Sequence, residues 1–401
     1  MVKPVAPANA ALVADGQPAP AELAALAREH GRLAIDTEFV SEGRYRPLLC
    51  LVQVAVAAPG ATGDPAIAVL DPIAGFDHEP LAEVLADPAV EVVFHAGGQD
   101  VAILRRAWGV GPRNVFDTQV AAGFAGFSAQ TGYANLLAKV AGVKLSKSAG
   151  FTRWDVRPLT REQVEYARSD VVDLLALSDE LQERLRRSGR LQWAREECRR
   201  LEGLSDERGP DEAYRRLPRV NRLRPRARAA AYALAEWREE TAAAEDRPTG
   251  SILSDVALIE VARRQPQALP ELTAIRGVRP DVGRRRGEAI IATVARGRER
   301  EPPPAEEHAR SDPDPSDAAR IALCEAVVRQ RVGEAGLAYE LVASRADLTE
   351  IVAAVRERRP DPEVRTLAGW RRDLVGAELL ELLAGRRSVR ATAGGVAIDD
   401  A

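Results

Sequence analysis

Arg32-Leu33-Ala34-Ile35-Asp36-Thr37-Glu38-Phe39-Val40 opens on an apolar run and then alternates acid, threonine and acid. The run reads as a buried strand over 32–40. Successive strand residues point to opposite faces, so Asp36 and Glu38 project together on one face. Two carboxylates there repel each other and lose hydration, which calls for a compensating cation. Carboxylate oxygens favour Mg²⁺ or Mn²⁺. An exposed acidic strand end is the other reading, and the nonapeptide alone does not choose between them.

Outward from this stretch the chain alternates strand and helix. The segment 21–30 has amphipathic helical spacing before the strand. Residues 48–57 are rich in Leu and Val and read as a second strand, and 66–70 as a third, closed by Asp71-Pro72. Helical spacing recurs at 81–85, a compact strand at 90–95, and helices at 100–108 and 133–141. Thr160 with Gln163 three residues on is a capping-box pattern, expected to open the longest helix. Strands interleaved with covering helices argue an α/β domain over 20–205, a mixed sheet flanked by helices.

Two further constellations accompany the acidic strand. Strand 90–95 ends at His95, and Ala96-Gly97-Gly98-Gln99-Asp100 follows. Asp100 then falls in the first turn of the next helix, near the carboxyl end of the strand, where open α/β sheets place their sites. Compensation of the helix N-terminus explains Asp100 equally well, and His95 reads as a structural histidine. In Tyr166-Ala167-Arg168-Ser169-Asp170 the tyrosine and the last aspartate are four apart and share a helix face, which continues into Asp173. A core-packed tyrosine beside a solvated aspartate is the alternative.

Taken together, the three motifs, in this order, resemble the DEDD superfamily of 3′-to-5′ exonucleases, in its tyrosine-type branch, and within it the ribonuclease D family. Leu51-Val52-Gln53-Val54, Phe116-Asp117-Thr118-Gln119, Arg157-Pro158-Leu159-Thr160 and Lys147-Ser148 also fit. The resemblance implies a ribonuclease H-like exonuclease domain that hydrolyses phosphodiesters with two divalent cations, Mg²⁺ or Mn²⁺. By motif, Asp36, Glu38, Asp100 and Asp170 are the expected ligands, and Tyr166 orients or deprotonates water, orientation being preferred. Phe39, Gln53 and His95 are expected to meet substrate, Phe39 by stacking on terminal bases. Core packing is the alternative for Phe39. The implied substrate is RNA, such as the 3′ ends of transfer RNA precursors. A DNA exonuclease of the same fold, or a non-catalytic RNA-binding scaffold, are the rivals.

Composition limits the rest. The chain has 401 residues, 46% hydrophobic and 29% charged, which fits a soluble globular protein of two or three domains. No apolar run reaches membrane-spanning length, and residues 1–16 lack a secretory pattern. A cytoplasmic protein without membrane contact is therefore expected, and the resemblance to the ribonuclease D family implies a monomer. Cys50, Cys198 and Cys324 are too scattered for a zinc site or a disulfide framework. Residues 212–300 hold 19 Arg against 12 Asp or Glu, while both flanking segments are acidic. A basic middle segment suggests contact with nucleic acid. Residues 212–297 resemble an HRDC domain, in which Arg284, Arg285 and Arg286 would touch phosphates; each also reads as a solvated surface residue. The expected organisation adds a flexible stretch over 1–19, a proline-rich linker over 301–317, a second divergent HRDC-like module over 318–386 and a disordered tail over 387–401. The second copy is suggested by Trp237-Arg238 in one module and Trp370-Arg371 in the other.

Overall fold

The computed structural model describes residues 16–58, 63–145, 153–304 and 314–401. The expected stretch over 1–15, Lys147-Ser148 and the middle of the proline-rich linker lie outside them. The first domain is built on a five-stranded sheet: β1 Arg32–Val40, β2 Leu48–Val56, β3 Ala66–Leu70, β4 Glu91–Phe94 and β5 Val115–Asp117. The strand order is β3-β2-β1-β4-β5. β1, β2 and β3 run antiparallel as a meander, whereas β4 and β5 lie parallel to β1 and to each other. Among the described residues eight helices accompany it: α1 Pro20–His30, α2 Glu79–Ala86, α3 Gly98–Trp108, α4 Thr118–Phe124, α5 Tyr133–Val140, α6 Arg161–Val172, α7 Leu174–Arg187 and α8 Leu191–Glu202. Strand β5 was not singled out in the sequence, being three residues long.

The period of two in β1 sorts its side chains. Leu33 and Ile35 enter a core shared with α1, α2 and α3, whereas Ala34 enters the core under α4, α5, α7 and α8. Asp36 and Glu38 have the parity of Ala34, so they lie on the face that α6 and α7 cover. Helix α6 is capped by Thr160 and Gln163 as expected, but it is not the longest helix. It spans 12 residues and breaks at Asp173, where α7 restarts. The break lets α6 lie over β1, β2 and β3 while α7 turns toward β1 and β4.

The basic segment folds around its own apolar core, including Leu234, Leu258, Ile290 and Val294. Its helices are Pro225–Glu245, Thr249–Ile252, Asp255–Arg264, Leu269–Thr273 and Pro280–Glu299. Gly297 admits the first helix closely, since a Cβ there would stand 2.8 Å from the Ala230 Cα. The segment touches the β1–β2 loop. Tyr45 donates to Glu239 at 2.8 Å, and Arg44 pairs with Asp246 at 2.6 Å.

The last segment repeats that order of elements: Pro315–Ala335, Tyr339–Val342, Arg345–Arg356, the short turn Arg365–Leu367, then a helix from Gly369 through a π-turn to Leu383. The first helix thus begins inside the stretch expected as linker, with Asp314 accepting from the Ser316 amide. The two tryptophan-arginine pairs are not counterparts, since Trp237 sits in the first helix of its module and Trp370 in the last of its own. This segment has no separate core; its Cys324, Val328, Ile351 and Leu379 join the apolar cluster of α4, α5 and α7. Trp370 stacks on Trp193 with centroids 5.1 Å apart and meets Phe124 edge-on. Arg371, fully buried, grips Glu197 with two hydrogen bonds of 2.6 Å.

The expected disordered tail is instead a hairpin, Arg387–Thr392 paired with Gly395–Asp400. Ala393-Gly394 supplies a two-residue turn. Val389 and Ile398 pack on the helical core, and the Val396 amide donates to the Gln330 side chain at 3.0 Å. Small and charged residues hide the strand alternation, so only the docking face reveals it.

Candidate active site

Three segments converge at the carboxyl ends of β1 and β4. A cleft of about 280 Å³ is lined by Asp36, Thr37, Glu38, Phe39, His95, Asp100, Tyr133, Tyr166 and Asp170. Carboxylate oxygens of Asp36, Glu38 and Asp170 lie within 4.8 Å of one another. Asp100 faces the same cleft outside that triad. Its carboxylate accepts a very short hydrogen bond from the Thr37 hydroxyl, which fixes its rotamer.

Local chemistry holds each element. The register between β1 and β2 shifts opposite Glu38 and Phe39, where Cys50 of β2 is the extra residue; Phe39 has the parity of Leu33 and Ile35, packs on the core of α1, α2 and α3 and still borders the cleft. Asp117, quoted in the sequence without a role, binds the turn after β4. It accepts from the Ala96 and Gly97 amides at 3.2 and 2.8 Å and also caps α4. Ala96 has φ of 58°, and a Cβ on Gly97 would stand 2.5 Å from Phe94. The turn is therefore tight, and it delivers Asp100 to the cleft. Tyr166 rests near Trp154, ring centroids 6.0 Å apart. Arg157 secures that segment through a two-point pair with Asp71, at 2.6 and 2.7 Å.

Among the described residues that line the cleft there is no arginine or lysine, and the acids repel. Burial, then Asp100, Asp170 and Glu38, drive the Asp36 carboxyl well above its usual range. Burial and the neighbouring Asp170 push Glu38 to about 8. Burial lifts Asp170 to about 7 and Asp100 to about 6. An all-oxygen donor set with uncompensated charge suits a hard divalent cation. The Tyr166 hydroxyl is also raised, by burial and then by Asp170, so it keeps its proton at neutral pH.

These shifts predict a pH signature for the metal-free protein. Carboxyls whose folded values exceed their unfolded values near 4 stabilise the fold fully below pH 4, and that contribution is lost as pH rises through about 8. The melting temperature of the metal-free protein should therefore fall between pH 5 and 8 more steeply than that of Glu38→Gln, and added Mg²⁺ should flatten the wild-type curve. Parallel curves for the two proteins without metal would contradict this account.

Two residues were placed wrongly by sequence reading. Gln53 is fully buried in β2 outside the cleft, so it meets no substrate. Arg286 is mostly buried and pairs with Glu245, so it is not a phosphate contact, while Arg284 and Arg285 are exposed. His95 borders the cleft, its Nδ1 2.9 Å from the Thr118 hydroxyl, and burial lowers its pKa. Tyr133 was missed. It lies 5.5 Å from the His95 ring and lines the cleft. Nothing in its helix, Tyr133–Val140, distinguishes it from a core tyrosine.

The family models for "3'-5' exonuclease" and for the HRDC domain match residues 13–186 and 227–294. Ribonuclease D of Zymomonas mobilis is 36% identical over 390 residues, covering 94% of this chain and 96% of its own length. Ribonuclease D of Gluconacetobacter diazotrophicus is 36% identical over 358 residues, covering 88% of each. The crystal structure of Escherichia coli RNase D superposes with a TM-score of 0.80 at 28% identity, covering 91% of this chain and 96% of its own. The sheet, the acid cleft and the helical module define a DEDD-type 3′-to-5′ exonuclease. The chain belongs to the ribonuclease D family and, with it, is a 3′-to-5′ exoribonuclease.

Proposed function

We propose that the cleft hydrolyses the terminal phosphodiester of structured RNA, transfer RNA precursors among them, with a pair of Mg²⁺ or Mn²⁺ ions held by Asp36, Glu38, Asp100 and Asp170. The observation that carries this reading is the convergence of Asp36, Glu38 and Asp170 within 4.8 Å, without a neutralising cation among the residues lining the cleft. Such paired ions supply Lewis acidity that eases ionisation of water and stabilises the attacking and leaving oxygens of an in-line displacement. Tyr166, held protonated, orients the attacking water through its hydroxyl rather than serving as base. Phe39 gives the terminal nucleotide an apolar wall, and His95 stands as a neutral polar group beside it. The digestion polarity and the RNA substrate follow from the family, and the Escherichia coli relative is described as an exoribonuclease involved in structured RNA processing. We place the enzyme in the cytoplasm as a monomer.

Matched RNA and DNA oligonucleotides test the reading. RNA should shorten from its 3′ end to 5′-mononucleotides with Mg²⁺ or Mn²⁺ and stop with chelator. Faster loss of DNA would overturn the RNA assignment.

Phosphate contact is assigned to the first helical module. Its Arg284 and Arg285 are exposed and have no ion pair among the described residues. Arginines of the last segment are mostly engaged, as in Arg331 with Glu378 at 2.6 Å and Arg387 with Asp400 at 2.9 Å. Replacing Arg284 and Arg285 by glutamate should weaken RNA binding and flatten its logarithmic salt dependence by about 0.7 per lost single-strand contact. An unchanged slope in a filter-binding series would exclude these two arginines.

A further inference from the structure

Gln53 is fully buried in the middle of β2, and neither its Oε1 nor its Nε2 has a hydrogen-bond partner among the described residues. Leaving a buried amide unpaired costs about 1–3 kcal/mol, and native folds keep few such groups. The sheet register identifies what surrounds it. Along β2 its same-face neighbours are Leu51 and Ala55, and across β3 it faces Val69. Across β1 it faces Asp36 directly, with Glu38 on the diagonal. Helix α6 covers this face with the buried, apolar Ala167 and Val171. Among these neighbours only the two carboxylates accept hydrogen bonds through side chains. Directly opposed antiparallel residues stand about 4.5–5.5 Å apart at Cα, within reach of a glutamine amide.

We propose that Gln53 is a positioning residue for Asp36, its Nε2 donating to the Asp36 carboxylate in the metal-loaded enzyme. This rests on the metal-holding role given to Asp36 above. A carboxylate that accepts a buried amide proton is held in one rotamer, with its oxygens kept aimed at the cleft. Partners of this kind, one layer behind the ligands, typically change metal affinity by about 10–100-fold. The Nε2 donor then has an acceptor in the Asp36 carboxylate, which the sheet register places directly opposite it.

The test is Mn²⁺ binding to the full-length protein by titration calorimetry, with the melting temperature of the metal-free protein measured beside it. Gln53→Met keeps the volume and removes the donor. We expect Mn²⁺ affinity to drop at least tenfold while the metal-free melting temperature holds or rises. Unchanged Mn²⁺ affinity, whatever the melting temperature does, overturns the proposal. Should Gln53→Met fail to fold, the wild-type side-chain amide decides: its NMR resonance should shift and gain exchange protection on Mg²⁺ addition, and no response overturns the proposal. Asp36→Asn separates the two levels. Wild type binding Mn²⁺ no better than Asp36→Asn removes the metal reading and this inference together. An Asp36-dependent affinity indifferent to Gln53→Met removes only the inference.

Discussion

Asp36→Asn is expected to lower the rate of RNA 3′-end hydrolysis by roughly 10³-fold or more, with the fold and RNA affinity retained. Asp36 is buried and repelled by Asp100, Asp170 and Glu38, which raises its carboxyl well above the usual range. Removing its charge removes one of the carboxylates proposed to hold the ions. Stabilisation by such ions is worth several kcal/mol, and each 1.36 kcal/mol is a decade in rate. The same substitution relieves repulsion, so the metal-free variant should melt higher than wild type at pH 8. The arginines proposed to meet phosphate, Arg284 and Arg285, lie in another module, so equilibrium RNA binding in chelator should be unaltered. Single-turnover kinetics together with filter binding read both quantities. Surviving wild-type rates would reject the site, and lost binding with lost rate would mean that Asp36 supports the fold instead.

Arg371→Ala should destabilise the protein by about 3–5 kcal/mol, the range for breaking a buried ion pair from one side. Arg371 is fully buried, and Glu197 is nearly so, so the substitution leaves the carboxylate between α8 and the last segment with the longer 3.4 Å contact to the half-exposed Arg200. The surrounding core is shared, with Trp370 between Trp193 and Phe124. The loss should therefore appear as a lower melting temperature of the exonuclease domain itself, not as release of an independent module. Replacing Arg371 and Glu197 together by methionine should cost much less than either single change. Calorimetry with an unshifted main transition in Arg371→Ala would show that the segment is a loosely tethered appendage. Deletion of residues 212–401 would strip this shared core, so point substitutions are the cleaner probe of RNA binding.

The two helical segments differ in how far their sequence reveals them. Helix spacing and arginine content mark the first as a basic module, and its core is indeed its own. The last segment reads as a similar unit, and its order of helices is similar. Yet Trp370-Arg371, the pair that suggested the repeat, is interface between the segment and α8. Only the partner surface explains why an arginine sits with no exposure among tryptophans.

Local physics made much of the enzyme legible from the chain. The apolar run at Leu33–Ile35, the period-two spacing of Asp36 and Glu38, the Thr160–Gln163 cap and the four-residue interval from Tyr166 to Asp170 act over a few bonds, so residue order alone defines them. Contacts across the sheet and between helices leave no such trace. That Asp100 stands outside the tight triad and is bound by Thr37, that Gln53 faces Asp36 in the interior, that Arg286 is spent on Glu245, and that the last fifteen residues pair into a hairpin were decided by tertiary packing. Strand register and burial depend on residues dozens to hundreds of positions apart, and these determine which polar groups meet water, each other or a metal ion.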